Sequence, residues 1–388
     1  MEMEMEMEME MEMKGCVDML EKLDIDSSKH VLKFLDDPGD LVRLACVSRS
    51  WRNFVIENRF CKDLCIKMFP EVCHITRVME CKNGVDPPPI GSSKVLEWEN
   101  LQREHKIYAC FTRELMTLVS DKCCLQFPIG ASSTDNYPDE SIENTLNPSP
   151  REFERPSYWS SQGASNIEAP ETLTYKLKSK LCVIHEIDIQ PFQAYFQRGS
   201  PIYSAKAVRF RLGYSKLSYS LESEDLDDLL PDHKCDDNYV WTYTSPDFPM
   251  LQENCLQSFK LPRPVLCIGG MLQIELLGRV QRQEMDALYY VCVCHVRVVG
   301  KPLMSRFDVN IPLDYTLMYF PDAKDVISTE ERGSDDHASG WQAFISRLRE
   351  IRAVRGRNYI FNFLLGNGAF QEQYDSDEEE EEILPVIE

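Results

Sequence analysis

Cys292-x-Cys294-His295 is the stretch that comes nearest to a metal site, because thiolates and an imidazole are the donors that hold Zn²⁺. On a regular strand Cys292 and Cys294 share one face while His295 points to the other, so the three cannot meet on one ion without a bulge. The stretch therefore reads as buried thiols in a central strand. Cys61 and Cys65 sit at helical i, i+4 spacing with no second pair nearby, and core packing explains them. Cys123-Cys124 is a vicinal pair without partners at ligand spacing. His185 and Glu186 would point to opposite faces of a strand, and His185 shares its face with Val183 and Ile187, which suits a core histidine better than a general base. Glu222, Glu224, Asp225, Asp227 and Asp228 could attract Ca²⁺, but the Gly at six and Glu at twelve of an EF-hand loop are missing, so a solvated acidic loop is expected. Nucleophile elbows, phosphate-binding glycine loops and the H-E-x-x-H zinc pattern are absent from the sequence. A non-enzymatic chain with no metal and no cofactor is the expectation.

The elements that would carry these residues fall into distinct blocks. A formal charge of −22, from 64 acids against 42 bases, argues against a nucleic-acid binder and against an anionic membrane surface. Much of that charge is terminal. An unbroken Met-Glu alternation fills 1–13, and DSDEEEEE occupies 375–382. The Met-Glu tail (1–14) presents no face to bury. The acidic start offers neither a cationic nor an apolar leader, and the cysteine count of 15 is odd, so free thiols in the cytoplasm and/or nucleus are expected. Helical spacing appears four times in 15–70. Leu32 and Leu35, with Val31 and Phe34 beside them, follow a cap at Asp24 or Asp26; Leu41, Leu44 and Ala45 follow Asp40 as cap; Val47, Trp51, Phe54 and Val55 come next, then Phe60, Leu64, Cys65 and Met68. A helical linker (71–127) includes a long helix at about 94–119, and a Pro/Ser/Asn-rich linker covers 128–156. Over 157–320 the period changes to two: Leu173, Tyr175 and Leu177; Leu181, Val183, Ile187 and Ile189; Val208, Phe210 and Leu212; Leu272, Ile274 and Leu276. An acidic loop (321–340), a C-terminal helix (341–370) rich in Arg and an acidic disordered tail (371–388) close the chain. The fold class is a multidomain α + β chain with an antiparallel β-sandwich.

The first helical block carries a specific pattern. Leu20-Glu-Lys-Leu23-Asp-Ile25, then His30-Val31-Leu32-Lys-Phe34-Leu35, then Asp37-Pro38-Gly-Asp40-Leu41-Val-Arg43-Leu44-Ala-Cys46-Val47-Ser48-Arg49-Ser50-Trp51-Arg52 resembles an F-box, a three-helix module of about 45 residues. It departs from the family in having Asp24 where Pro usually follows the first Leu. The resemblance implies a Skp-type adaptor as partner and, through it, a cullin/RING ubiquitin ligase. It also implies adaptor contacts at Leu23, Ile25, Leu32, Leu35, Pro38, Leu41, Leu44, Val47 and Trp51. A module this short rarely builds a self-sufficient core, which leads to the expectation that it folds against its partner.

The β region resembles the discoidin, or galactose-binding-like, jelly rolls through Tyr158-Trp159-Ser-Ser, Gly199-Ser-Pro201-Ile202-Tyr203 and Leu272-Gln-Ile274-Glu-Leu276-Leu-Gly278-Arg279. The same sandwich occurs in the Doc-type substrate-recognition subunit of the anaphase-promoting complex, and the whole layout resembles plant F-box proteins with such a C-terminal domain. The resemblance implies a substrate-recognition subunit of an SCF-type ligase whose sandwich binds an unknown protein target, with ligands meeting loops at one end. Tyr158 and Trp159 are the candidate recognition edge, although an aromatic pair entering a sandwich reads first as core. The alternative is a glycan- or peptide-binding module in which the helical block is only a platform.

Overall fold

Three side-chain caps set the starts of the first helices. Asp24 accepts from the Ser27 amide at 2.7 Å and opens α1 (Ile25–Leu32). Asp37 accepts from Gly39 at 2.8 Å and, with Pro38 in the first turn, opens α2 (Pro38–Ala45). The expected cap, Asp40, lies one turn inside α2 and pairs with Arg43 instead. Ser48 accepts from Trp51 at 3.2 Å and opens α3 (Arg49–Glu57), so Val47 falls in the preceding turn and not in the helix. A fourth helix, α4 (Phe60–Met68), and a long α5 (Lys94–Met116) complete the helical region.

The computed structural model describes residues 22–81, 94–117, 122–152, 155–216, 238–303, 305–311 and 315–323. The chain divides into two units, Met1–Asp325 and Val326–Glu388, and every described residue belongs to the first. The Met-Glu tail, the acids of 222–228, the C-terminal helix and the acidic tail lie outside the described residues.

Two antiparallel sheets face each other. In chain order the principal strands are β1 (Arg77–Glu80), β2 (Leu125–Ala131), β3 (Glu171–Leu177), β4 (Leu181–Gln193), β5 (Ala205–Ser215), β6 (Tyr239–Thr244), β7 (Gln257–Ile268), β8 (Met271–Arg279), β9 (Cys292–Pro302), β10 (Phe307–Asn310) and β11 (Thr316–Tyr319). One sheet runs β6-β5-β8-β3-β2, and the other is built on β7-β4-β9. Leu173, Tyr175, Leu177, Phe210, Ile274 and Leu276 of the first sheet meet Ile184, Ile187, Ile189, Val265, Val296 and Val298 of the second in one dry core. A small third sheet pairs β1 in parallel with β11, and β11 antiparallel with β10.

Two departures from the expected layout have a common cause. The segment 71–127 is not simply a helical linker: it holds a 3-10 turn (Pro70–His74), β1, α5 and the first strands of the sandwich. Nor is 128–156 a solvated linker. Pro128 sits in an edge strand, where a missing amide is tolerated. The polar residues that follow are bonded internally: the Asn144 amide donates to the Tyr158 carbonyl at 2.8 Å, and Thr145 meets the Tyr175 hydroxyl at 2.9 Å. Their partners are remote in sequence, so composition alone suggested a linker.

The helical region is not a free-standing module either. Phe60, Leu64, Val72, Ile107 and Phe111 share one buried cluster with Leu181, Val183, Leu266 and Ile268 on the outer side of the sandwich. The Glu71 carboxylate, almost wholly buried, pairs with Arg263 of β7 and clamps the junction. The small size that made an obligate partner the expectation is made good here by the chain's own sheet.

Candidate functional site

The implied adaptor-contact residues separate into two groups. Leu32, Pro38, Leu41 and Trp51 are buried within the helical region, and Leu23, Leu35 and Leu44 are half-buried. Ile25 and Val47 stand out at 64% and 65% exposure. Three apolar side chains absent from the expected set join them: Val31, Phe34 at 71% exposure, and Val42. Val31 and Phe34 were visible beside the helical stripe; Val42 had no signal of its own. Leu32, Leu35 and Leu41 also line a groove of about 500 Å³ against Phe60, Leu64 and Ile66 of α4, edged by Lys33, Asp63 and Lys67.

A second concavity, of about 220 Å³, lies where β4 ends and β9 begins. It brings together side chains from four separate stretches: Asp135 and Glu140 after β2, Tyr158 and Ser160, Phe192 at the end of β4 with Phe196 just beyond, and Tyr290 and Cys292 at β9. The Tyr158 and Phe192 rings stack with centroids 3.8 Å apart and planes 5° from parallel. The Tyr158 hydroxyl donates to Glu140 at 2.5 Å, Tyr290 donates to Asp286 at 2.5 Å, and Tyr203 donates to Gln197 at 2.6 Å. Burial, then the bonded carboxylate, holds the Tyr158 and Tyr290 phenols well above the usual tyrosine range. Asp135 titrates above the usual carboxylate range because of burial and the nearby Asp286. Tyr158 thus lines the cavity, whereas its neighbour Trp159 is fully buried in the sandwich core with its indole N–H donating to the Ser133 carbonyl at 3.1 Å.

Arg279 fixes the wall beside this cavity. Only 2% of its side chain is exposed, and its guanidinium pairs with the buried Glu171. It also donates to the Tyr289 and Gln162 carbonyls at 2.8 Å and to the Ser161 hydroxyl at 3.1 Å. Ser133 donates to the other oxygen of Glu171 at 2.8 Å, so both members of the pair are satisfied. Gly278 precedes Arg279 at φ +68, a left-handed conformation that suits glycine. The Gly278-Arg279 dipeptide was legible as part of a resemblance; its structural role was not.

The described cysteine and histidine candidates do not converge on one point. A bulge does occur at Cys294, where the β9–β4 register shifts between Val293 and His295. It sends Cys292 and Cys294 into a small cluster with Phe192 and Tyr290. The His295 Nδ1–H meanwhile faces the Thr145 carbonyl at 2.9 Å. Among the described residues no three His, Cys, Asp or Glu side chains are grouped to hold an ion. Burial pushes the Cys61 and Cys65 thiols up to about 12 and Cys267 and Cys294 to about 11, which keeps them protonated and unreactive. A second bulge, at His185, corrects the strand reading. The β9 residues Val299 and Gly300 pair with Glu186 and Ile184, skipping His185. Leu181 and Val183 therefore face the helical region while Ile187 and Ile189 face the sandwich core. A Cβ on Gly300 would meet the Val183 carbonyl at 2.2 Å, so only glycine permits this approach.

Residues 29–67 match the F-box-like family. The likeness runs far beyond that module: 298 residues are 48% identical to one plant protein, covering 76% of this chain and 79% of the relative. The chain belongs to the F-box proteins. The relative is F-box protein At4g00755 of Arabidopsis thaliana. Among solved structures, a CBM32 module from a family 31 glycoside hydrolase of Clostridium perfringens is 15% identical with a TM-score of 0.29, over 45% of this chain and 90% of that one. An F5/8 type C domain from Bacteroides fragilis is 12% identical with a TM-score of 0.29, over 46% and 97%. Among the described residues no helix is long and apolar enough to cross a membrane.

Proposed function

We propose that this chain is the substrate-recognition subunit of an SCF-type ubiquitin ligase. The exposed apolar side chains Ile25, Val31, Phe34, Val42 and Val47 carry this reading, because all lie in or beside the stretch that matches the F-box-like family. Exposed apolar groups of this size mark a surface that a partner covers. On this reading they dock a Skp-type adaptor, and the sandwich holds a protein target beside the ubiquitin-charged enzyme. The chain's contribution is non-catalytic: it raises the effective concentration of the target's lysines. Such an assembly would operate in the cytoplasm and/or nucleus.

Co-expression with a Skp-type adaptor tests the reading directly. The two chains should co-purify as a one-to-one complex that assembles with a cullin. A folded, soluble chain that fails to retain the adaptor would refute it.

A further inference from the structure

The cavity at the end of the sandwich is walled by hydrogen-bond acceptors and ring faces, and that composition selects a ligand. Tyr158, Tyr203 and Tyr290 have each given their hydroxyl proton to a neighbour in the wall, so each phenol offers the cavity only lone pairs. Glu140 lines the wall, and Asp286 stands behind Tyr290. Asp135 adds a carboxylate with no hydrogen-bond or ion-pair partner among the described residues. No Lys, Arg or His lines the cavity among the described residues. Ser160 donates to the Ser161 carbonyl and the Cys292 thiol to Ser160, so side-chain donors facing the cavity come from the amides of Asn136, Gln197 and Gln283. Phe192 and Phe196 contribute aromatic surface.

A cation made only of donors fits this arrangement. Ammonium and guanidinium groups bond to carboxylates and are drawn to ring faces by the quadrupole. The same aromatic cluster already holds one such group: the Arg151 guanidinium lies 4.0 Å from the centroid of Tyr195, whose ring meets Phe196 edge-on at 5.6 Å. The volume of about 220 Å³ admits one side chain and falls short of the roughly 300 Å³ that encloses a drug-sized ligand. The lining residue Phe196 is exposed, and so are Tyr137 and Met285, the latter 92% exposed, close in sequence to the lining residues Asn136 and Gln283; flanking residues of a polypeptide can cover them.

We propose that this cavity receives the Lys or Arg side chain of a partner polypeptide, with Glu140 and Asp135 as the charge partners and Tyr158, Phe192 and Phe196 as the aromatic surround. This rests on the reading of the sandwich as the target-binding part of the chain.

The test uses the full-length chain, purified after co-expression with adaptor, and fluorescent nonapeptides of Gly and Ser with one central residue. Peptides centred on Arg or Lys should bind, and those centred on citrulline, acetyl-lysine or norleucine should bind about tenfold or more weakly. Glu140→Gln keeps an acceptor for the Tyr158 hydroxyl, and Asp135→Asn keeps the side-chain shape. The double variant should lose about tenfold in affinity for the basic peptides, with a shallower salt dependence and an unchanged unfolding midpoint. Equal binding of charged and neutral peptides, no peptide binding by the folded chain, or an unaltered affinity in the double variant would each overturn the proposal. Free galactose run in parallel should not compete; competition by the sugar would also count against it. Adaptor retention, measured on the same samples, separates the two readings. Adaptor bound without charge discrimination sinks the cavity proposal alone, and charge discrimination without adaptor sinks the ligase reading alone.

Discussion

The α1–α2 surface and the cavity at the end of the sandwich are made from opposite materials. The first exposes Ile25, Phe34 and Val47 among surface ion pairs such as Arg43–Asp40 and Lys67–Asp36. The second sets phenols, amides and carboxylates into a bonded network fixed by the buried Arg279–Glu171 pair. Apolar exposure supports binding through area removed from water, which is tolerant in geometry. A polar cavity discriminates because a wrong ligand leaves buried groups unpaired. One region is thus suited to an invariant partner and the other to choosing among partners. The helical region is joined to the outer side of the sandwich by a single buried cluster that runs from α4 and α5 to Leu266 and Ile268.

The sharpest way to break this contrast is to remove Arg279. Arg279→Met leaves Glu171 buried without its cation and frees the Ser161, Gln162 and Tyr289 contacts. Breaking a buried pair from one side costs about 3–5 kcal/mol, so the urea midpoint should fall by a large fraction of the total stability. A midpoint within error of wild type would show that the network does not hold the wall.

Leu41 and Phe34 divide the helical region in the same spirit. Leu41 is 1% exposed, and Leu41→Ala should destabilise the chain by about 2–5 kcal/mol through the cavity it leaves. Phe34→Asp should leave the unfolding midpoint within about 0.5 kcal/mol of wild type. Its effect should appear in adaptor affinity, measured by calorimetry, as a loss of about 2 kcal/mol or more if Phe34 is an anchor of that interface. The reverse pattern, an unstable Phe34→Asp with unchanged affinity, would exchange the roles given to these residues.

Features decided by local spacing were legible before the structure. A cap at Asp24 or Asp26, of which the structure uses Asp24, and the alternations at Leu173–Leu177 and Leu272–Leu276 follow from helix and strand signals that a short window contains. The bulges were not legible, because an inserted residue at His185 or Cys294 is defined only against the partner strand. The cavity was half legible. Tyr158 was named beside Trp159, but Glu140, Phe192 and Tyr290 come from three other stretches and meet only when the sheets pair. Exposure on α1 and α2 was not legible for a related reason: the resemblance selects the apolar positions of a motif without separating those that face inward from those that face outward. Leu41 and Val47 are equally apolar in sequence, yet one is buried and the other is not.

The smallest expected effect tests whether the two regions unfold as one. His105 on α5 and His295 on β9 both titrate below the ordinary histidine value of 6.5, mainly because burial disfavours the imidazolium. Arg52 adds to this at His105, whose Nδ1 has no hydrogen-bond partner among the described residues. At His295 the Thr145 carbonyl and Asp188 act in the other direction, and Arg297 with burial. With the folded pKa depressed, the unfolded chain takes up protons that the folded chain refuses once the pH falls below about 6.5. Stability should therefore decline as the pH drops through that value towards the lower folded pKa, and replacing either imidazole should flatten the decline. Urea midpoints at pH 7.5 and 5.5 should differ less in His105→Gln and in His295→Gln than in wild type. Because the helical region and the sandwich share a core, each variant should shift one common transition. Two separate transitions at pH 5.5, with His105→Gln altering only the first, would show that the helical region can loosen while the sandwich stays folded.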